Sequence, residues 1–483
     1  MPETTQDIAA KQELFIAGTW IDARDHGTLT IVDPNTEEPV YTVPEATRAD
    51  VDRAVAAARE VLESGSWEAL GVEKRVAHLL RFADELERRA PEMTTQLAHE
   101  MGTPLSGARE VAGAIGLTRH FASVAGGVGF SERRAGAFRP SLVDRVPVGV
   151  VAAVVPWNAP VFLTVQKMVP ALLAGCPVIV KPAPQTAYSA FGIAEAVAAA
   201  GLPAGTVSVL PADREVSEYL ATHPGVDKVS FTGSTATGRR IMELAAGDIK
   251  RVGLELGGKS AGIVLPDADF AAVMPAVVGG TMCNSGQACT LLSRLLVPRE
   301  RAEEFLTAYA AALDEIVVGP ALDPASVLGP LVSRAQYEKV MGYIESGLDE
   351  GARLVRGGGR PAGQERGHFV EPTVFADVTP DMRIVREEIF GPVISVLTYD
   401  TLDEAVRIAN DTPYGLSGAV FGPDTDAAVA VARRLRAGII TVNSAMDFDF
   451  DAPFGGFGAS GTGRELGGAD GILAFTEART IGV

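Results

Sequence analysis

Residues 284–290 read NSGQACT, and the cysteine in this stretch, Cys289, is one of only three in 483 residues. Its sequence neighbours are polar or small, which leaves two readings. It is a small packing residue, or it is a nucleophile whose thiolate attacks an electrophilic carbon. Other stretches hold the residue types that such a nucleophile needs. Glu255 in LELGGKS is a carboxylate between two leucines, and apolar company raises its proton affinity toward the range of a general base near neutral pH. The competing reading is a strand-end glutamate paired with a nearby Arg or Lys. Asn158 in PWN either turns the chain or aims its amide N–H at a developing oxyanion. Gly233, Ser234 and Thr235 in SFTGSTATGRRI form either a plain helix N-cap or an anion site, because free N–H groups point outward there. The stretch is not a GxGxxG fingerprint.

These residues fall at the ends of apolar runs. From about residue 150 onward, short β-branched runs alternate with Ala-rich helical stretches: VGVVAAVV before VFLTVQKMVPALLAG, PVIVK before TAYSAFGIAEAVAAAG, TVSVLP before EVSEYLATH, DKVSFTG before STATGRRIMELAA. The runs are continuously apolar instead of alternating, as strands covered on both faces must be. Four βα units in a row predict a doubly wound sheet closed by RVGLEL. Lys181 then ends one strand and Gly233 follows another, so both belong on the rim where open α/β sheets bind nucleotides. A second alternating series starts at SAGIVLP and runs to IITVN. Residues 131–148 and the tail ILAFTEARTIGV fit neither series and read as extended segments that pair with each other or with another subunit.

Composition narrows the function classes. A net charge of −19 argues against a nucleic-acid partner, which requires clustered Lys and Arg. The six histidines show no zinc-ligand spacing, so no metal is expected. An odd set of three cysteines fits a reducing compartment. Neither a signal-peptide pattern nor an apolar run of membrane-spanning length is seen, so the expected location is the cytoplasm.

NSGQACT, LELGGKS, FTGST, PWN, EEIFGPV at 387–393 and PFGGFGASGTGRE at 453–465, taken in order, resemble the aldehyde dehydrogenase superfamily over nearly the whole chain. The resemblance implies a Rossmann-type doubly wound cofactor domain (1–128 with 148–257) and an α/β catalytic domain (258–443, with 444–470 returning to the active site). It also implies a small extended β oligomerisation arm (129–147 with 471–483) and a homodimer or homotetramer. It assigns the catalytic thiol to Cys289, the base to Glu255 and the oxyanion donor to Asn158, with Lys167 and Glu465 relaying protons or orienting the base. The implied cofactor is NAD. Its contacts map to Val155, Pro156, Trp157, Asn158, Lys181, Ala183, Pro184, Phe231, Thr232, Gly233, Ser234, Leu256, Gly257, Glu388 and Phe390. Many NAD-preferring relatives carry a glutamate three residues after the lysine matching Lys181. Pro184 stands there instead, which implies that NADP is also accepted.

The resemblance further implies oxidation of an aldehyde to the carboxylic acid through a Cys289 thiohemiacetal and thioester, hydrolysed with the help of Glu255. Cys176 and Cys283 read as packed thiols. The alternatives are a CoA-acylating relative, which generally lacks the glutamate base, and a catalytically silent one, which would have lost the thiol, base or oxyanion donor. The substrate is a small aldehyde whose tunnel would be lined by Ala159, Val161, Gln166, Met282, Ala288, Thr290, Phe448 and the rest of the segment 444–452. Ala159 and Gln166 stand where many relatives have aromatics. Asp449 and Asp451 either favour an amino- or hydroxy-aldehyde or are acidic loop residues that are simply solvated, which is the commoner case.

Overall fold

The computed structural model describes residues 9–444 and 449–483. Its largest sheet has eight strands, of which the central five are parallel: Val207–Val209, Val178–Lys181, Val151–Val154, Lys228–Thr232 and Arg251–Glu255 in spatial order. In chain order these run third, second, first, fourth, fifth. The winding therefore reverses between Val151–Val154 and Lys228–Thr232, and a crevice opens beyond the strand ends at that point. The strands VAAV and VIVK are buried along their whole length, as the continuous apolar runs require. The hairpin Glu13–Ile16 and Thr19–Asp22 extends one edge antiparallel. Gly461–Thr462 closes the other edge against Leu254 and Glu255.

The helix Pro160–Ala174 covers this sheet and carries its residues into the core. Proline opens it, where no N–H is needed, and Gly175 at φ 96° ends it. Leu172 and Leu173 are fully buried, each worth about 2 kcal/mol in apolar transfer. The Glu110 carboxylate accepts the Val161 N–H at 2.6 Å and the Phe162 N–H at 3.3 Å, satisfying donors of the first turn. Before this sheet's central strands come the helices Arg48–Ser64, Val72–Met101 and Glu110–Ala125, which the alternation from residue 150 onward does not foretell. Val72–Met101 continues through Pro91.

The second sheet has seven strands in the order Arg353–Arg356, Thr373–Ala376, Val393–Tyr399, Arg294–Pro298, Ala261–Val264, Ser417–Phe421, Ile439–Val442. All neighbours are parallel except the first pair. Outside both sheets, Ser141–Pro147 pairs antiparallel with Ser131–Arg134 on one side and Thr476–Gly482 on the other. Among the described residues no helix is long and apolar enough to cross a membrane, and no group of three or more His, Cys, Asp or Glu is placed to hold a metal ion.

Candidate active site

Cys289 sits just after an unusual turn. Asn284, Ser285 and Gly286 take left-handed φ values of 50°, 54° and 76° in succession. Non-glycine residues resist this region, so the turn must be held from outside. Asn284 Nδ2 donates to the Asn158 carbonyl at 3.0 Å, and Ser285 Oγ donates to the Gly329 carbonyl at 2.9 Å. At Gly286 a Cβ would lie 2.1 Å from the Gly391 carbonyl carbon, so only glycine fits. Asn158 in turn donates its side-chain amide to the Gln287 carbonyl at 3.1 Å, which brings the expected oxyanion donor to within two residues of the thiol.

Burial pushes the Cys289 thiol up to about 12, and the charges of Glu388 and Glu255 push the same way. The backbone N–H groups of Cys289 and Thr290 are directed at the thiol and oppose this shift.

Glu255 ends its strand 4% exposed, and neither carboxylate oxygen has a hydrogen-bond partner among the described residues. Burial holds its proton affinity well above the usual carboxylate range, and the neighbouring Glu465 adds to this. Lys167 and Arg464 oppose the shift. Room for the carboxyl exists because residue 455 is glycine: a Cβ there would lie 2.8 Å from Glu255 Oε1. Glu465 is buried and forms an ion pair with the fully buried Lys167. It also accepts from Ser230 Oγ at 3.2 Å and from Gln166 Nε2 at 2.5 Å. Gln166, expected on the tunnel wall, is thus 1% exposed and turned to Glu465.

A cleft of about 630 Å³ opens at the point where the winding reverses, and both Cys289 and Glu255 line it. Pro156, Trp157 and Asn158 bound it from one strand end, and Thr232, Gly233 and Ser234 from the next. Leu256, Gly257, Glu388 and Phe390 complete the wall on the side of the second sheet. Ser234 caps the helix Thr235–Ala245, accepting from Thr237 N–H at 3.2 Å. Glu388 is held by the Gly258 N–H at 3.0 Å, and burial raises its proton affinity. A Cβ on Gly257 would lie 2.1 Å from Glu388 Oε2, so the glycine makes space for this carboxylate. Trp157 meets Phe390 edge to face, ring centres 5.3 Å apart.

Other expected residues stand back from the cleft. Val155 and Phe231 are buried at or just beyond the strand ends. Lys181 and Ala183 are buried beside the next strand end, and burial lowers the Lys181 amine to about 8. Pro184 borders a separate cavity of about 1060 Å³ that also reaches Arg334 and His368. Ala159 is partly exposed ahead of the helix Pro160–Ala174, whereas Val161 is fully buried. Met282 packs in an apolar cluster of the second sheet, with Ala288 against it. Thr290 lines a cavity of about 580 Å³ with Leu292, Ile439, Phe454 and Leu466, and Asp449 at its side. Asp451 lies 3.2 Å from His120 Nε2. Phe448 lies outside the described residues. Gln336 and Lys339 also line the cleft and were not expected. Gln336 donates to the Phe390 carbonyl at 2.7 Å, steadying a non-glycine residue at φ 62°. Neither residue sits in a recognisable motif; they project from the helix Arg334–Asp349.

The residues present suit a dinucleotide: a capped helix N-terminus, a glycine-made space beside Glu388, and a buried Thr232 hydroxyl with no partner among the described residues. A thiol and a buried carboxyl open into one cleft at the winding reversal, the place where open α/β sheets bind nucleotides. The model of the aldehyde dehydrogenase family matches residues 20–481, and the chain belongs to that family. Geranial dehydrogenase of Castellaniella defragrans is 47% identical over 459 residues, covering 94% of this chain and 95% of that protein. The structure of a Mycobacterium tuberculosis aldehyde dehydrogenase complexed with NAD+ superposes with a TM-score of 0.95, at 42% identity and 99% coverage of both chains. A cysteine-to-alanine mutant of aldehyde dehydrogenase C from Pseudomonas syringae, complexed with NAD+ and octanal, gives 0.93 at 40% identity, covering 97% of this chain and 96% of that one.

Proposed function

We propose that the protein oxidises an apolar aldehyde to its carboxylic acid with NAD as acceptor, through a thioester on Cys289. The observation that carries this reading is the single cleft into which Cys289, Glu255 and the coenzyme-type wall all open. The Cys289 sulfur adds to the aldehyde carbon as the carbonyl π pair moves to oxygen, the thiol proton passes to water in the cleft, and the thiohemiacetal oxygen is received by the Asn158 amide and the Cys289 N–H. NAD, when bound, would supply the hydride acceptor for oxidation at this carbon to the thioester level. Glu255 then takes a proton from water, and the hydroxide equivalent cleaves the thioester to release the acid. Burial, with Glu465, raises the proton affinity of Glu255, and only its deprotonated form can take a proton from water, so hydrolysis should accelerate as pH rises.

The presence of Glu255 supports water over CoA as the acyl acceptor. Geranial in the name of one relative, octanal bound in the structure of another, and the largely aliphatic and aromatic lining beside Thr290 support an apolar aldehyde. The helix cap at Ser234, with Glu388 and Trp157, would hold the coenzyme, and Lys167 with Glu465 would orient the base. Glu255→Gln tests the scheme: one burst of NADH should form, turnover should stall, and intact-protein mass spectrometry should show acyl-enzyme accumulating on Cys289. Wild-type turnover by this variant, without added CoA, would falsify the assignment of the base.

A further inference from the structure

Glu465 receives more attention from its surroundings than an ion pair needs. It lies in the short strand Glu465–Leu466, which pairs with Pro453–Phe454. Three donors converge on its carboxylate: the Lys167 ammonium, the Ser230 hydroxyl at 3.2 Å and the Gln166 amide at 2.5 Å. The amide contact is unusual in kind. Gln166 is buried, its carbonyl oxygen has no partner among the described residues, and half of its hydrogen-bonding capacity is thus given up so that Nε2 can reach Glu465. A buried amide left partly unsatisfied carries a cost, and such a contact persists where the rest of the packing leaves no better arrangement.

Beside Glu465 stands Glu255, whose two oxygens have no donors of their own. Apart from burial, the field of Glu465 is the largest influence raising the proton affinity of Glu255. Where the Glu465 carboxylate is held therefore matters to Glu255 directly. The other groups facing this pair are Lys167 from the helix Pro160–Ala174, Lys228 from the strand Lys228–Thr232, Arg464 next to Glu465, and the Cys289 thiol across the cleft. Lys167 and Arg464 act against the effect of Glu465 on Glu255, so the amide of Gln166 adds a neutral donor where a further cation would cancel the repulsion.

We propose that Gln166 is a positioning residue for the base: its amide N–H fixes the Glu465 carboxylate where it acts on Glu255, the group that takes a proton from water. The inference rests on the reading of Glu255 as the hydrolytic base. Without the amide donor, Glu465 is held by Lys167 and Ser230 alone, its charge is less tightly fixed beside Glu255, and Glu255 ionises at lower pH.

The test is the pH profile of thioester hydrolysis, measured in single turnovers on the whole enzyme with a saturating apolar aldehyde and NAD. Gln166→Met keeps the side-chain volume and removes the donor. Its rising limb should move to lower pH by about half a unit or more, and Ser230→Ala should move it the same way by less. A merely structural role for Gln166 would lower the rate at every pH and leave the limb where it is, and that result overturns the proposal. Should Gln166→Met fail to fold, an unmoved limb in Ser230→Ala overturns it instead. Glu255→Gln separates the two readings. A limb that survives in that variant refutes Glu255 as base, whereas a limb that needs Glu255 but ignores the donors to Glu465 refutes only the role of Gln166.

Discussion

Burial raises the proton affinity of the Cys289 thiol, and the charges of Glu388 and Glu255 add to the effect. Reactivity at this sulfur therefore depends on what the cleft receives, and the residue can be removed without dismantling the cleft. Cys289→Ala should abolish aldehyde-dependent NADH formation, by at least roughly a thousandfold, while calorimetric NAD affinity changes by less than about threefold. Activity retained in that variant would end the covalent scheme. Cys176 is fully buried with its thiol against the Phe475 carbonyl at 3.3 Å, so Cys176→Ala should cost stability of about 1–3 kcal/mol and leave kcat intact. Pro184 can neither accept a ribose hydroxyl nor repel a phosphate, so NAD should be preferred over NADP by within about a hundredfold in kcat/KM. Pro184→Glu should sharpen that preference, and a wild-type preference of several thousandfold would show that another group guards the ribose. Cys289, Glu255 and Asn158 could be picked out as candidates because each stands in a short stretch of distinctive composition, and the structure brings all three to one cleft. Gln166 was not, because its partner Glu465 is 299 residues further on and nothing local records the contact.

At the scale of elements, the site depends on glycines that let one segment approach another. Gly257 and Gly258 follow the strand Arg251–Glu255 and bring it against Glu388 and the Cys289 carbonyl, where a Cβ would lie at 2.1 and 2.6 Å. Gly257→Ala should displace Glu388, raising the KM for NAD by about tenfold or more with a smaller change in the aldehyde KM. Equal changes in both would indicate a general disturbance of the cleft. The sequence disclosed most of the strands here, since continuous apolar runs such as VAAV and VIVK have one structural meaning in an α/β chain. It disclosed little of residues 48–125, where long helices precede the sheet they cover and no alternation marks them. The helix Arg334–Asp349 carries Gln336 and Lys339 to the cleft without any motif, because a helix needs only its buried face to be specified.

For the molecule as a whole, the three-stranded sheet of Ser131–Arg134, Ser141–Pro147 and Thr476–Gly482 stands apart from both larger sheets, and most of Thr476–Gly482 is exposed. Such a strand is a ready surface for pairing with another copy, which supports an assembled dimer or tetramer. Deleting residues 476–483 should shift the protein to a smaller species in light scattering; an unchanged mass would place the assembly surface elsewhere. The eight-stranded sheet has a different kind of consequence. Its edges are built from residues 13–22 and from 461–462, so one sheet draws on segments that lie far apart in sequence, with the whole second sheet between them. During synthesis the five parallel strands leave the ribosome long before Gly461–Thr462 exists, and the edge beside Glu255 waits open while the second sheet is made. The strand that closes it comes from the same return segment that delivers Glu465, so the last edge of the first sheet and the charged neighbour of Glu255 arrive together, after the second sheet has been made.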